Sequence, residues 1–107
     1  MNKRSFLKTT GIACLSILFL TVGSNSLAAD ANAGKSKSGL CAGCHGADGK
    51  SMSPLIPNLA GQKEQYLAKA IKDYKTGIRK DPMMSSMTGS LSDADIADLA
   101  AFFSSLK

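Results

Sequence analysis

Cys41-Ala42-Gly43-Cys44-His45 constrains this chain more than any other stretch of its 107 residues. Two cysteines three positions apart, followed at once by histidine, form the C-x-x-C-H pattern of c-type haem attachment. Each residue type has its own task in that chemistry. The thiols add across two vinyl groups as thioethers, and the two-residue spacer sets them one short helical turn apart. The adjoining imidazole then lies under the ring as the proximal iron ligand. A chain committed to this chemistry wraps part of itself around a flat, rigid group.

Other chemistries also use paired cysteines. A thioredoxin-like redox pair expects a βαβ setting, and no strand pattern flanks the motif. A zinc site needs about four ligands. Beyond the first 29 residues the chain offers two cysteines and one histidine, all inside the motif. A disulfide between Cys41 and Cys44 would close too small a loop to stabilise much. Haem attachment is the reading that uses all three residues.

The amino terminus indicates where this chemistry takes place. Lys3, Arg4 and Lys8 precede an apolar run from Gly11 to Val22, and small and polar residues follow up to Ala28-Ala29-Asp30. A charged segment, an apolar segment and a small-residue cleavage site together read as a secretory signal peptide. The apolar run is shorter than the ~20 residues that a membrane span needs. Residues 1–28 are therefore expected to be the signal, cleaved after Ala28 or Ala29, and residues 29–107 the functional domain. Cys14 falls at the front of the apolar run and belongs to the signal.

Removing the signal changes the charge balance. The whole chain carries 13 Lys and Arg against 8 Asp and Glu, net +5. Three of those cations lie in the signal, leaving 10 against 8, net +2. Two haem propionates would bring the product close to neutrality, so nucleic-acid binding is not indicated. About 78 residues remain, enough for one domain. A core that small usually needs a metal or a covalent cross-link to stabilise it. A buried haem would serve.

The rest reads as helices and loops, with an all-α fold of three to four helices and two long loops. Asp30 to Gly39 suits a short first helix capped by Asp30. Gly34 within it lowers helix propensity, which points to close approach of another helix. Lys63 to Thr76 carries Tyr66, Leu67, Ala70, Ile71 and Tyr74 at spacings of 3 and 4, with Gly77 as its stop. The last helix begins with Ser92-Asp93-Ala94-Asp95, a variant capping box, flanked by Leu91 and Ile96 at hydrophobic-staple positions. Ile96, Leu99, Phe103 and Leu106 form its buried stripe. Gly46 to Gly49 has the composition of a tight turn. Ser51 to Gly61 and Gly77 to Leu91 lack periodicity and read as loops, the second containing Met83, Met84 and Met87. Long unstructured loops in a small domain are usually functional.

Taken in order, these residues resemble the class I cytochromes c, above all small bacterial monohaem types and single domains of their dihaem relatives. The resemblance runs from Gly34 through Cys41-Ala42-Gly43-Cys44-His45-Gly46-Ala47-Asp48-Gly49 and Pro57-Asn58-Leu59-Ala60-Gly61-Gln62. It continues through Tyr66-Leu67 and the methionine loop to Leu91-Ser92-Asp93-Ala94-Asp95-Ile96-Ala97-Asp98-Leu99-Ala100-Ala101-Phe102-Phe103. It implies one covalently attached haem c on Cys41 and Cys44, with His45 on the iron. It also implies a bond from the proximal histidine to the Pro57 carbonyl, and a crossing of first and last helices at Gly34 and Leu99 to Phe103. One departure is Lys37-Ser38, where relatives often place an aromatic, so a thinner helix contact is expected here.

The resemblance also bears on the sixth iron ligand. No second histidine exists, and a thioether is soft and favours Fe(II). In related sequences the ligand lies eight residues before the serine that caps the last helix, which gives Met84. Met87, in Met87-Thr88-Gly89, is the alternative. Iron ligated on both faces has no open position for a substrate, which implies an electron carrier rather than an enzyme. The expected protein is a periplasmic monomer meeting redox partners transiently, with a haem subunit of a periplasmic dehydrogenase complex as the alternative. Lys63, Lys69, Lys72, Lys75, Arg79 and Lys80 are either an ordinary solvated face or a weak steering patch for an acidic partner.

Overall fold

In the computed structural model residues 28–107 are described, and among them the chain is all-helical. The expected signal segment lies almost wholly outside the described residues. Five helices follow in order: α1 (Ala31–Lys37), α2 (Gly39–His45), α3 (Glu64–Thr76), α4 (Pro82–Thr88) and α5 (Asp93–Ser105). Among the described residues, no helix is long and apolar enough to cross a membrane.

The termini of these helices follow from their capping residues. The Asp30 carboxylate accepts hydrogen bonds from the amides of Asn32 and Ala33, satisfying donors that α1 leaves open. Ser92 and Asp95 form the reciprocal capping box of α5, with Ser92 Oγ bonded to the Asp95 amide and the Asp95 carboxylate to the Ser92 amide. Gly77 ends α3 in the left-handed region at φ 80°, a conformation that costs glycine little.

Two features of the helix count depart from expectation. The first helix breaks at Ser38, so that α1 and α2 are separate and the cysteine motif lies wholly on α2. The segment from Gly77 to Leu91 is not a continuous loop, since α4 occupies its middle. Asp81 caps α4 by accepting from the Met84 amide at 2.9 Å, and Pro82 sits in its first turn. That pair starts a helix without any apolar periodicity, because proline has no amide to leave unsatisfied there.

The principal contact is α1 against α5. A Cβ placed on Gly34 would lie 2.0 Å from the Asp98 carbonyl oxygen and 2.8 Å from the Phe102 Cβ. Only a residue with no side chain lets the two backbones meet. The expected thin contact at Lys37 is instead reinforced. Its ammonium bonds to Asp95 at 2.8 Å and to Asp98 at 2.7 Å, and the Asp30 amide donates to the other Asp98 oxygen at 2.8 Å. An aromatic would have contributed area here; Lys37 contributes two ion pairs, and the Asp30 amide adds a third polar contact.

Among the described residues the buried apolar ones are few: Leu67, Ile96, Leu99, Ala100, Phe102 and Phe103. All but Leu67 lie on α5, including Phe102, which the expected stripe omitted. Such a core is too small to account for a stable domain of this size by itself.

Gly34→Leu should cost ~1–3 kcal/mol or more, the usual penalty for forcing atoms into a packed contact, read as a lowered melting temperature of the haem-loaded protein. A second expectation concerns pH. The Lys37 bond, helped by the Ser92 amide and hydroxyl, draws the Asp95 carboxyl down to about 2. Asp98 is lowered by Lys37 and the Asp30 amide, and Lys37 is raised by its two carboxylate partners. A depressed carboxylate stabilises the fold fully above its ordinary value near ~4 and loses that stabilisation as pH falls through the folded value. A raised ammonium does the converse at alkaline pH. In denaturant titrations the stability gap between the native chain and Lys37→Gln should therefore be flat at neutral pH. It should shrink as pH falls from about 4 toward 2, and again above ~10.5.

Candidate haem site

The helices leave a cavity of about 490 Å³ between α2, α3, α4 and α5, within the ~300–1,000 Å³ usual for ligand pockets. Leu59, Leu67, Ile71, Leu99 and Phe103 supply apolar walls. Cys41, Cys44, His45 and Met84, separated by up to 43 positions in the chain, all line this one space. Met83 and Met87 line it too.

On α2 the two cysteines stand at i and i+3, on one face of the helix. Neither is in a disulfide; Cys44 is exposed and Cys41 half-buried. Burial pushes the Cys41 thiol above its ordinary pKa, the reverse of what a redox-active thiolate needs. Among the described residues, no group of three or more His, Cys, Asp and Glu converges to hold a metal ion, so the zinc reading finds no ligand set.

His45 ends α2 and is buried. Its Nδ1 lies 2.7 Å from the Pro57 carbonyl oxygen, an acceptor, so Nδ1 carries the hydrogen and Nε2 is left as a free lone pair. Gly46 turns the chain immediately after, at φ 86°. A Cβ there would come within 2.2 Å of the Lys50 carbonyl oxygen, which makes this close return of the chain specific to glycine. The expected Gly46–Gly49 turn is closed by the Gly49 amide on the Gly46 carbonyl at 3.0 Å.

The loop bearing Pro57 is anchored at several points. The Leu59 and Ala60 amides donate to the Gly49 carbonyl at 2.7 and 3.0 Å, and the Gly61 amide reaches Phe103 on α5 at 3.1 Å. Asn58 Oδ1 accepts from the Ser51 amide at 2.7 Å. The carbonyl that orients His45 is thus carried by a fixed loop.

Met84 belongs to the first turn of α4. Its amide is held by Asp81 and its carbonyl accepts from the buried Thr88 hydroxyl at 2.8 Å. Met87 lies one turn on along the same helix, and Met83 is largely exposed. The helix that fixes this segment went unread in the sequence, although Asp81-Pro82 carries its start signal.

The expected row of cations on and after α3 is largely engaged. Lys69 pairs with Asp73, Lys75 donates to the Leu91 carbonyl, and Lys72 lies 3.5 Å from Asp93. The Arg79 guanidinium rests 4.5 Å from the centre of the Tyr74 ring.

These residues suit a haem. The cavity is apolar in its walls, two free thiols share one helix face, a buried imidazole keeps Nε2 available, and thioethers stand on a different helix. Comparisons with known proteins agree. A family model described as cytochrome c matches residues 31–107. The chain is 48% identical over 93 residues to cytochrome c4 of Pseudomonas aeruginosa, covering 84% of this chain and 46% of that protein. It is 49% identical over 81 residues to cytochrome c-554(548) of Halomonas halodenitrificans, covering 73% of this chain and 98% of that one. The crystal structure of reduced recombinant cytochrome c4 from Pseudomonas stutzeri superposes with a TM-score of 0.72 at 46% identity, over 75% of this chain and 47% of that one. The chain thus spans about half the length of the cytochromes c4 and nearly all of the shorter relative. On the match across residues 31–107 and these identities, the chain belongs to the cytochrome c family, and the cofactor it binds is covalently attached haem c.

Proposed function

We propose that this protein is a periplasmic electron carrier with one haem c, attached through Cys41 and Cys44 and ligated by His45 and Met84. The observation that carries the reading is His45 Nδ1 bound to the Pro57 carbonyl, in a cavity that Cys41, Cys44 and Met84 also line. When bound there, haem c supplies a reversible one-electron Fe(III)/Fe(II) couple.

Each residue then has a role that its surroundings support. Cys41 and Cys44 would hold the haem covalently, each thiol supplying the sulfur and hydrogen that a vinyl group would take up without net oxidation. The Pro57 carbonyl holds the imidazole in the tautomer that presents Nε2 and makes it a stronger donor. Asp81 and Thr88 fix the backbone on both sides of Met84, so its thioether approaches from a stiff turn. His45 and Met84 would both be engaged in holding the iron, which would leave electron transfer as the work of the site. The signal peptide, cleaved after Ala28 or Ala29, belongs to the same proposal, because it delivers the chain to the periplasm. A transient redox partner belongs to the same proposal, and Lys69, Lys72 and Lys75 are already held by the protein's own groups. Stable co-purification with a dehydrogenase would instead make the protein a fixed subunit.

Attachment is tested by denaturation. Haem should remain with the polypeptide through acid-acetone extraction and denaturing electrophoresis, and Cys41→Ser with Cys44→Ser should leave little folded protein. Free haem beside a polypeptide of unmodified mass would overturn the assignment.

Ligation is tested by the methionine series. The oxidised protein should show the weak long-wavelength band of Fe(III)–thioether bonding. Met84→Ala should abolish it and lower the potential, since haem potential follows axial-ligand identity. Met83→Ala and Met87→Ala should retain the band. Its loss on Met87→Ala alone would move the ligand one turn along α4.

A further inference from the structure

We infer that Lys75 and Thr88 are positioning residues for the sixth iron ligand, holding Met84 in place through a relay of hydrogen bonds that runs back to α3. The inference rests on Met84 being that ligand and deepens the reading by naming what keeps it there. Three links make the relay. The buried Thr88 hydroxyl donates to the Met84 carbonyl at 2.8 Å. The Thr88 carbonyl in turn accepts from the Leu91 amide at 3.1 Å. The Leu91 carbonyl then accepts from the ammonium of Lys75, which stands in the last turn of α3.

α4 needs such a support. It has seven residues, and a helix that short is marginal in water on its own. Asp81 secures its start. Its last turn carries no basic residue to offset the negative end of the helix. The relay supplies the restraint from a longer element: α3 has 13 residues and buries Leu67 in the core. Leu91, the middle link, packs on the same core and lines the cavity.

Thr88 is the inner link. It lines the cavity and is buried, where a hydroxyl is costly unless bonded, and its partner is the carbonyl of Met84 itself. Lys75 is the outer link, exposed like its neighbour Lys72 on the same helix. Lys72 lies 3.5 Å from Asp93, so that pair joins α3 to α5 and bypasses α4. The two lysines carry the same charge and differ in whether their bond leads to Met84.

The test is titration of the oxidised, haem-loaded protein with imidazole. Imidazole takes the place of the methionine only where the iron–sulfur bond has opened, so its apparent affinity reports the open fraction. Thr88→Val, which keeps the shape and removes the hydroxyl, should raise that affinity about five-fold, the factor for one lost hydrogen bond. Thr88→Ser keeps the hydroxyl and should stay close to the unsubstituted value. Lys75→Met should raise the affinity about two-fold or more, less than Thr88→Val because the bond is exposed. Lys75→Arg should restore it, and Lys72→Met should leave it unchanged. Thr88→Val combined with Lys75→Met should give less than the product of the separate factors, since both cut one path. The relay is refuted if Thr88→Val leaves the affinity unchanged, or if Lys75→Met raises it no more than Lys72→Met; independent multiplication of the two factors equally refutes it. Should Thr88→Val not take up haem, the comparison of Lys75 with Lys72 decides alone. Failure of the ligand reading itself looks different: the unsubstituted protein would lack the thioether band, or Met84→Ala would retain it.

Discussion

The absence of a side chain at Gly34 is what the rest of the structure depends on. With hydrogen alone at that position, α1 lies directly on the Asp98 carbonyl of α5. That contact fixes the direction in which the chain leaves α1 and enters α2, and hence the wall on which Cys41, Cys44 and His45 stand. α5 in turn carries Leu99 and Phe103, two further walls of the same cavity. One backbone-to-backbone approach therefore registers the attachment residues against the apolar floor. The polar clasp of Lys37, Asp95, Asp98 and the Asp30 amide holds the register from outside, where an apolar residue would have been half exposed.

A second constraint follows from how little the protein buries on its own account. Among the described residues, five of the six buried apolar residues belong to one helix, and Leu99 and Phe103 on it face the cavity. The cofactor is thus part of the core as well as the redox centre. Leu67, Leu99 and Phe103 both wall the haem cavity and belong to the core. It also accounts for the anchored loop from Ser51 to Gly61, whose backbone bonds to Gly49 and Phe103 serve to hold one carbonyl against His45.

Most of this architecture was legible in the sequence where the signal was local. The C-x-x-C-H motif, the Asp30 cap, the capping box at Ser92 and the stop at Gly77 act over a few residues, and each appears where expected. Gly34 was legible as an anomaly, since a glycine inside a helix needs a packing reason. What escaped notice had other causes. α4 is two turns long and carries methionines and serines without an apolar stripe, so periodicity had nothing to report; Asp81 and Pro82 alone announced it. The partners of Lys37 stand about sixty positions away, and no local rule connects them. The acceptors of Lys72 and Lys75, Asp93 and the Leu91 carbonyl, lie beyond α4, while the Lys69–Asp73 pair is local to α3.

Asp95 closes the capping box of α5 and also binds Lys37 on α1. The first turn of the last helix and the last turn of the first helix therefore share a single carboxylate. Chain ends are ordinarily where a domain frays. Here one carboxylate ties the start of α5 to the end of α1. The least covered segment is the turn around Met52 and Leu55, whose side chains stand almost fully in solvent. Met52 and Leu55 belong to the loop that presents the Pro57 carbonyl, so exposed apolar side chains ride there on a backbone pinned to Gly49 and Phe103.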